Sequence, residues 1–324
     1  MNKNIGKGFS KKFRDYYTNT RIEFQNHLER EIGKETEEIA ALIKKGVGEG
    51  KQLRPVLCRL VSDSLGGDAH LALECGMALE LMHCGALIHD DWIDGDSFRR
   101  DAPSLWKELG PRTAVLVADL MVATGSLHAA ISVATGNSLA KCARNLSEGA
   151  IFDFTDKENF SESIYIKRIK MKTGALFGTA AELGALVSPM TEFAKTLYNY
   201  GETIGIIYQI TDDYLDLLNS IITQTPVGDL ALGIPTLALT RLSQFAPYNN
   251  AIELFNSKGD ASQIIDKIKI EDAQIVFDDL IKPWKEIAKK YIKDLPKSPT
   301  KELLYEVPFA FSDELLISEK PKLL

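Results

Sequence analysis

The sequence predicts an all-α protein, and three observations carry that prediction. Apolar residues recur at helical spacing through almost all of the 324 residues. No run shows the strict apolar–polar alternation of a half-buried strand. Several central segments are apolar nearly all round, which marks interior helices of one large bundle. No linker or low-complexity tract splits the chain, so residues 1–324 are expected to form a single domain.

The elements follow in order. Helices are expected at 8–31 and 34–46, the second stopped by Gly46-Val47-Gly48. The next, 52–65, ends at Gly66-Gly67-Asp68, after which 69–93 runs through strongly apolar sequence. Gly110-Pro111 opens 111–134, and 138–154 follows. Helix 161–187 ends at Ser188-Pro189, and 191–222 is the longest. The remainder are 235–245, 261–291 and, beyond Pro296 and Pro299, 298–311. Ser220 to Gly233 is the longest stretch without a clear helix; a flexible lid and an ordinary loop fit it equally well. Leu120 to Ala140 carries no Asp, Glu, Lys or Arg, enough to raise a membrane span. Its Thr124, Gly125, Ser126, His128, Ser132, Thr135, Gly136, Asn137 and Ser138 point instead to a buried helix and its loop.

A net charge of −7 lacks the basic footprint of a nucleic-acid binder. The clusters Lys11-Lys12, Lys44-Lys45 and Lys289-Lys290 read as solvated faces. Cys58, Cys75, Cys84 and Cys142 show no CxxC spacing and read as buried thiols, not as a disulfide framework or a zinc site. The amino-terminal stretch is polar, with no signal-peptide core, so a cytoplasmic protein without stable membrane insertion is expected.

Chemistry enters through two copies of DDxxD, Asp90-Asp91-Trp92-Ile93-Asp94 and Asp212-Asp213-Tyr214-Leu215-Asp216. Residues four apart share a helix face, so Asp90 projects with Asp94 and Asp212 with Asp216. Like charges at that spacing destabilise a helix. A single copy is most often a solvated acidic face. Here both follow apolar runs, Glu80 to Ile88 and Thr203 to Ile210, where unpaired carboxylates are expensive. Mg²⁺, a hard ion that takes carboxylate and phosphate oxygens, would offset that cost. Cations for a diphosphate are also present. Lys51 and Arg54 sit three apart at a helix start, which itself favours an anion. Arg99-Arg100 follow the first motif, and Lys172 stands beside Thr173. Each alone reads as a surface charge; with His83, Gln209 and both acidic motifs they form a set suited to two diphosphates.

With these motifs the chain resembles the trans-isoprenyl diphosphate synthases, the farnesyl and geranylgeranyl diphosphate synthase family, over roughly residues 20 to 311. Gly50-Lys51-Gln52-Leu53-Arg54-Pro55 is similar to GKxxRP in that family, and His83 with His89 to Asp94 is similar to its first aspartate-rich motif. Arg99-Arg100, Lys172-Thr173-Gly174 and Tyr208 to Asp216 complete the likeness. The resemblance implies a bundle of antiparallel helices around a deep apolar pocket, a homodimer, and prenyl diphosphate substrates. It implies that Lys51, Arg54, His83 and Arg100 hold isopentenyl diphosphate. Arg99, Lys172, Thr173 and Gln209 would contact the allylic diphosphate. Asp90, Asp94 and Asp212 would carry three Mg²⁺ ions, supported by Asp91, Asp213 and Asp216. Asp90, Asp94, Asp212, Lys172 and Arg99 are the implied catalytic set.

The chain also departs from the family pattern. Thr225 and Ile234 stand where the family carries lysines after the second motif, and Arg241 is the only Lys or Arg between Lys195 and Lys258. Gly149-Ala150-Ile151-Phe152-Asp153 lacks the glutamine of GQxxD, and Asp101 replaces a glycine. By likeness, Gly85 and Ala86, with Met82 and Ala78 further down, leave the chain-length pocket open, which implies a product of C20 or longer and a shorter one for Gly85→Phe. Three readings remain: a chain-elongating prenyltransferase, a terpene-synthase-like lyase using one allylic diphosphate, and a weakly active or non-catalytic partner subunit. Lys51, Arg54 and His83 favour the first, because a lyase needs no second diphosphate site.

Overall fold

The computed structural model of the protein describes residues 10–99, 102–155, 161–231, 236–245, 247–249 and 262–318. Helices α1 (Lys11–Ile32), α2 (Glu37–Val47), α3 (Leu53–Ser64) and α4 (Ala69–Asp94) open the chain. A two-stranded antiparallel ribbon, β1 (Phe98–Arg99) and β2 (Ala102–Pro103), pairs Phe98 with Pro103. Then come α5 (Leu105–Leu109), α6 (Pro111–His128), α7 (Val133–Thr155) and α8 (Glu162–Ile169). A π-helical turn, Lys170–Gly174, links α8 to α9 (Ala175–Leu186). Helix α10 (Ala194–Thr223) and α11 (Leu237–Leu242) follow, and Ile270–Ile292 and Val307–Ser318 are the longer elements beyond. The all-α expectation holds; the ribbon and α5 are the pieces that periodicity does not reveal.

Boundaries moved where side chains cap. The break between α6 and α7 falls at 129–132, not 135–137. Ser132 and Thr135 exchange reciprocal hydrogen bonds, Thr135 N to Ser132 Oγ at 3.2 Å and Ser132 N to Thr135 Oγ1 at 3.0 Å. That box starts α7 and leaves Gly136 inside it. Residues 120–140 are therefore two helices, neither spanning the uncharged stretch. Helix α4 is the one described helix long and apolar enough to cross a membrane, yet 67% of its most apolar window is buried in the protein.

One apolar cluster draws on residues from Phe13 to Phe311 and centres on α3, α4, α9 and α10. Small residues let these helices approach. A Cβ at Gly201 of α10 would stand 2.1 Å from the Phe177 carbonyl oxygen, and one at Gly205 would stand 2.7 Å from Gly174 Cα. Any larger residue would push α10 off the π turn, where the functional side chains meet.

Candidate active site

The first acidic motif occupies the last turn of α4. Asp68 caps the helix start, accepting from the backbone N–H groups of His70 and Leu71 at 2.8 and 3.0 Å. Gly95, at φ +77°, ends it. Carboxylates here face the negative end of the helix dipole as well as each other. The three aspartates divide. Asp91 is 2% exposed and accepts from Arg99 Nε at 2.7 and 2.8 Å, with Nη2 completing the fork. The ribbon after Gly95 makes that reach possible: Ser104 Oγ and Trp106 Nε1 both donate to Asp96 O at 2.7 Å and fold the chain back. Asp90 is half-buried and Asp94 exposed. Burial pushes the Asp90 carboxyl up, with Lys172 and Arg99 pulling the other way. Burial and then the Asp90 charge push Asp94 up.

Lys172 lies in the π turn, a helical irregularity frequent at functional sites. It donates to Asp153 Oδ2 at 3.0 Å. Burial alone would lower its pKa, but Asp90 and Asp153 outweigh that and hold the ammonium charged. The adjacent Thr173 turns the other way and donates to Gln209 Oε1 at 2.8 Å, and Gln209 Nε2 donates to Asp213 Oδ1 at 3.0 Å. Thr173 thus reaches the second motif through Gln209, while its neighbour Lys172 lies within the electrostatic influence of Asp90 and Asp94 in the first. In the second motif Asp213 is 5% exposed and also accepts from the Tyr165 hydroxyl. Asp212 and Asp216 are half-buried on α10. Gly228, at φ +55°, closes on Asp216 so tightly that a Cβ there would lie 1.8 Å from Oδ2.

The expected metal set changes in consequence. Asp91 and Asp213 are engaged by protein donors and act as braces. Asp90, Asp94, Asp212 and Asp216 are the candidate carboxylates for a cation, on the outer positions of the two motifs. Their fit to Mg²⁺ rests on the all-oxygen donor set and on the raised Asp90 and Asp94, whose charged forms a divalent ion would stabilise.

The GKxxRP-like segment is pinned by α1. Tyr17 donates to Lys51 O at 2.7 Å and Arg21 to Gly50 O at 3.0 Å. Gln52, a buried non-glycine residue at φ +53°, is held in the left-handed region by these ties. Arg54 stacks 4.7 Å above the Phe177 ring, and burial drives its pKa down against the pull of Glu80. Lys51 and His83 are half-buried. Arg100 and Ile234 lie outside the described residues, and Thr225 is exposed.

The chain-length positions separate too. Gly85 faces α6, where a Cβ would lie 3.0 Å from both Ala118 O and Val122 Cγ2. Likewise, a Cβ at Gly125 of α6 would lie 2.8 Å from the Ala78 carbonyl oxygen. Met82 is buried in the core, while Ala86 is half-buried. Gly85→Phe would therefore wedge α4 from α6, and Ala86 becomes the position to vary. Sequence reasoning did not assign Asp153 or Tyr165 to the site. Asp153 was legible as the aspartate ending Gly149 to Asp153; Tyr165 left no local signal.

Comparison with known proteins identifies the family. Residues 36–269 match the family described as polyprenyl synthetase. The chain is 30% identical over 278 residues to a geranylgeranyl pyrophosphate synthase of Geoglobus acetivorans, covering 80% of this chain and 85% of that protein. It is 33% identical over 172 residues to a geranylfarnesyl diphosphate synthase of Methanosarcina mazei, covering 52% of this chain and 58% of that protein. The fold matches the crystal structure of geranylgeranyl pyrophosphate synthetase from Pyrococcus horikoshii with a TM-score of 0.77 at 24% identity, over 93% of this chain and 99% of that one. The chain belongs to the polyprenyl synthetase family, the isoprenyl diphosphate synthases, and is by that membership a prenyltransferase.

Proposed function

We propose that this protein condenses isopentenyl diphosphate with an allylic diphosphate, using Mg²⁺, to give a trans-prenyl diphosphate of C20 or longer. The observation that carries the reading is the π turn, which sets Lys172 toward Asp90 and Thr173 toward the second motif. The allylic C1–O bond breaks and diphosphate leaves with the electron pair. The isopentenyl double bond attacks the allylic carbon, and the proton lost from the adduct passes to the departing diphosphate. Asp90, Asp94, Asp212 and Asp216 would hold the Mg²⁺, which when bound would neutralise charge on the leaving diphosphate. Lys172, held charged, and Arg99, oriented by Asp91, add fixed positive charge at the same place. Lys51, Arg54 and His83 orient the second diphosphate. The names of the relatives, geranylgeranyl and geranylfarnesyl synthases, support the longer product.

The protein would work in the cytoplasm as a homodimer. Leu116 and Leu127, 68% and 76% exposed on one face of α6, suit a partner copy. Light scattering on the purified chain tests the assembly.

The test of activity uses labelled isopentenyl diphosphate, Mg²⁺ and, separately, dimethylallyl, geranyl, farnesyl and geranylgeranyl diphosphates. Label in a longer prenyl diphosphate is the expected result. Allylic substrate converted to hydrocarbon or alcohol without label would replace the reading with a lyase. No turnover would give weight to the missing lysine at Thr225 and to a partner subunit. Ala86→Phe is expected to shorten the product; an unchanged distribution would move the tail off that face of α4.

A further inference from the structure

A second cluster of ligand-type side chains lies far from the aspartates. Helices α1 and α4 each carry a His-x-x-x-Glu, His27 to Glu31 and His70 to Glu74. Residues four apart share a face, and the crossing of these helices turns both faces toward each other. Ligand atoms of His27, Glu31 and Glu74 lie within 4.8 Å of one another. His27 Nε2 is 3.2 Å from Glu74 Oε1, and His70 Nε2 is 3.9 Å from the same oxygen. Glu74 is sixteen residues before Asp90 on one helix, about 24 Å at 1.5 Å per residue.

His27 is the telling member. Its ring is 2% exposed, and Nε2, aimed at Glu74, makes no hydrogen bond. A buried ring nitrogen without a hydrogen bond is uncommon unless something else engages it. Two donors on a tetrahedral ion with bonds near 2.1 Å stand about 3.4 Å apart, close to the His27–Glu74 spacing. His128, at the end of α6, places Nδ1 2.6 Å from the other Glu74 oxygen, Oε2. That contact orients the carboxylate and leaves Oε1 for an ion, as outer partners of metal ligands do. The His70 side chain is 66% exposed and can swing to close the set.

We propose that His27, Glu31, His70 and Glu74 form a cation site for a zinc-class divalent ion, tying α1 to α4 and separate from the Mg²⁺ carboxylates. Two imidazoles and two carboxylates suit Zn²⁺, and two carboxylates balance its charge. Mg²⁺, which prefers oxygen alone, is a poor fit. Two contacts oppose binding: Arg30 Nη2 lies 2.7 Å from His27 Nδ1, and Lys34 Nζ is paired with Glu31 Oε2, an exposed ammonium that must give way to the ion. Ligation through Nε2 puts a proton on Nδ1, so Arg30 must turn away. Its side chain is 60% exposed and already reaches Glu31.

The experiment titrates chelator-treated full-length protein with Zn²⁺, and in parallel with Co²⁺ as a spectroscopic probe, in excess Mg²⁺ to occupy the aspartates. One ion per chain is expected, with visible Co²⁺ absorption bands and a rise in melting temperature. His70→Ala, an exposed change, should weaken Zn²⁺ binding at least about tenfold and alter the Co²⁺ bands. His27→Gln and Glu74→Gln should abolish both, and Asp90→Ala should leave both unchanged. The proposal is overturned if wild-type protein binds no Zn²⁺ under these conditions. It is equally overturned if His70→Ala binds as wild type, or if Asp90→Ala removes the bands. Should His27→Gln fail to fold, His70→Ala alone decides.

Discussion

The two DDxxD motifs share a sequence pattern and differ in nearly everything around it. On α4 the motif fills the final turn, and its middle aspartate is held by the Arg99 guanidinium across a short ribbon. On α10 it lies within a 30-residue helix, and its middle aspartate is held by neutral donors, Gln209 and Tyr165. Beyond α4 the chain returns a cation to the motif. Beyond α10 it returns a glycine that closes on Asp216, and Thr225 stands exposed nearby. The difference teaches that DDxxD does two jobs here. The middle aspartate anchors a neighbour, and the outer ones are the pair proposed to hold Mg²⁺. Among the described residues, Arg99 and Lys172 bring positive charge to the first motif.

That contrast can be broken most severely at the outer aspartates. Asp90→Ala and Asp212→Ala are each expected to lower label incorporation by about 10³-fold. If only one does so, the two motifs are not partners in one site.

The middle aspartates offer a sharper comparison. Asp91→Asn removes the charge opposite Arg99, whose side chain is 36% exposed, so the cost falls below that of a fully buried pair, about 2 kcal/mol. Asp213→Asn keeps an acceptor for neutral donors and should cost about 1 kcal/mol or less. Urea unfolding of both variants measures the difference; equal losses would remove the distinction between charged and neutral braces.

Adding charge to the α10 side should help. Thr225→Lys is expected to raise turnover of the allylic substrate by about fivefold, the equivalent of roughly 1 kcal/mol from an exposed charge. No gain, or a loss, would mean that α4 already supplies what the leaving group needs.

The smallest effect is in pH. With Asp90 and Asp94 pushed up, the folded chain holds protons that the unfolded chain has released. Their contribution to metal-free stability therefore falls as pH rises from the ordinary carboxylate range, about pH 4, toward 7. Asp90→Asn should melt progressively higher than wild type across that window, and saturating Mg²⁺ should close the gap. A gap independent of pH would show that Asp90 is not held protonated by burial.

Much of this was legible in order along the chain. Helical periodicity located α3, α4 and α10, because long apolar faces leave a strong repeating signal. Motif spacing singled out Asp90, Asp94, Lys172, Thr173, Gln209 and the GKxxRP-like segment, and the fold brings Thr173 against Gln209 and Lys172 under the influence of Asp90 and Asp94. Gly85 fits the sequence as an opening in a pocket or as a glycine that permits tight helix packing, and the close approach of α6 backbone favours the second. Spacing cannot tell a glycine that leaves room from one that lets a neighbour in.

By itself the sequence determined the all-α class, the family and the identity of the acidic and basic residues. Those properties follow from residue type and periodicity, which act within a few turns of one helix. Only tertiary structure decided that Asp91 and Asp213 are braces, that Asp153 and Tyr165 join the site, and that two His-x-x-x-Glu faces meet. Each depends on which side chains from distant helices are brought within hydrogen-bonding reach, and that is set by helix crossings fixed at close contacts such as Gly201 and Gly205.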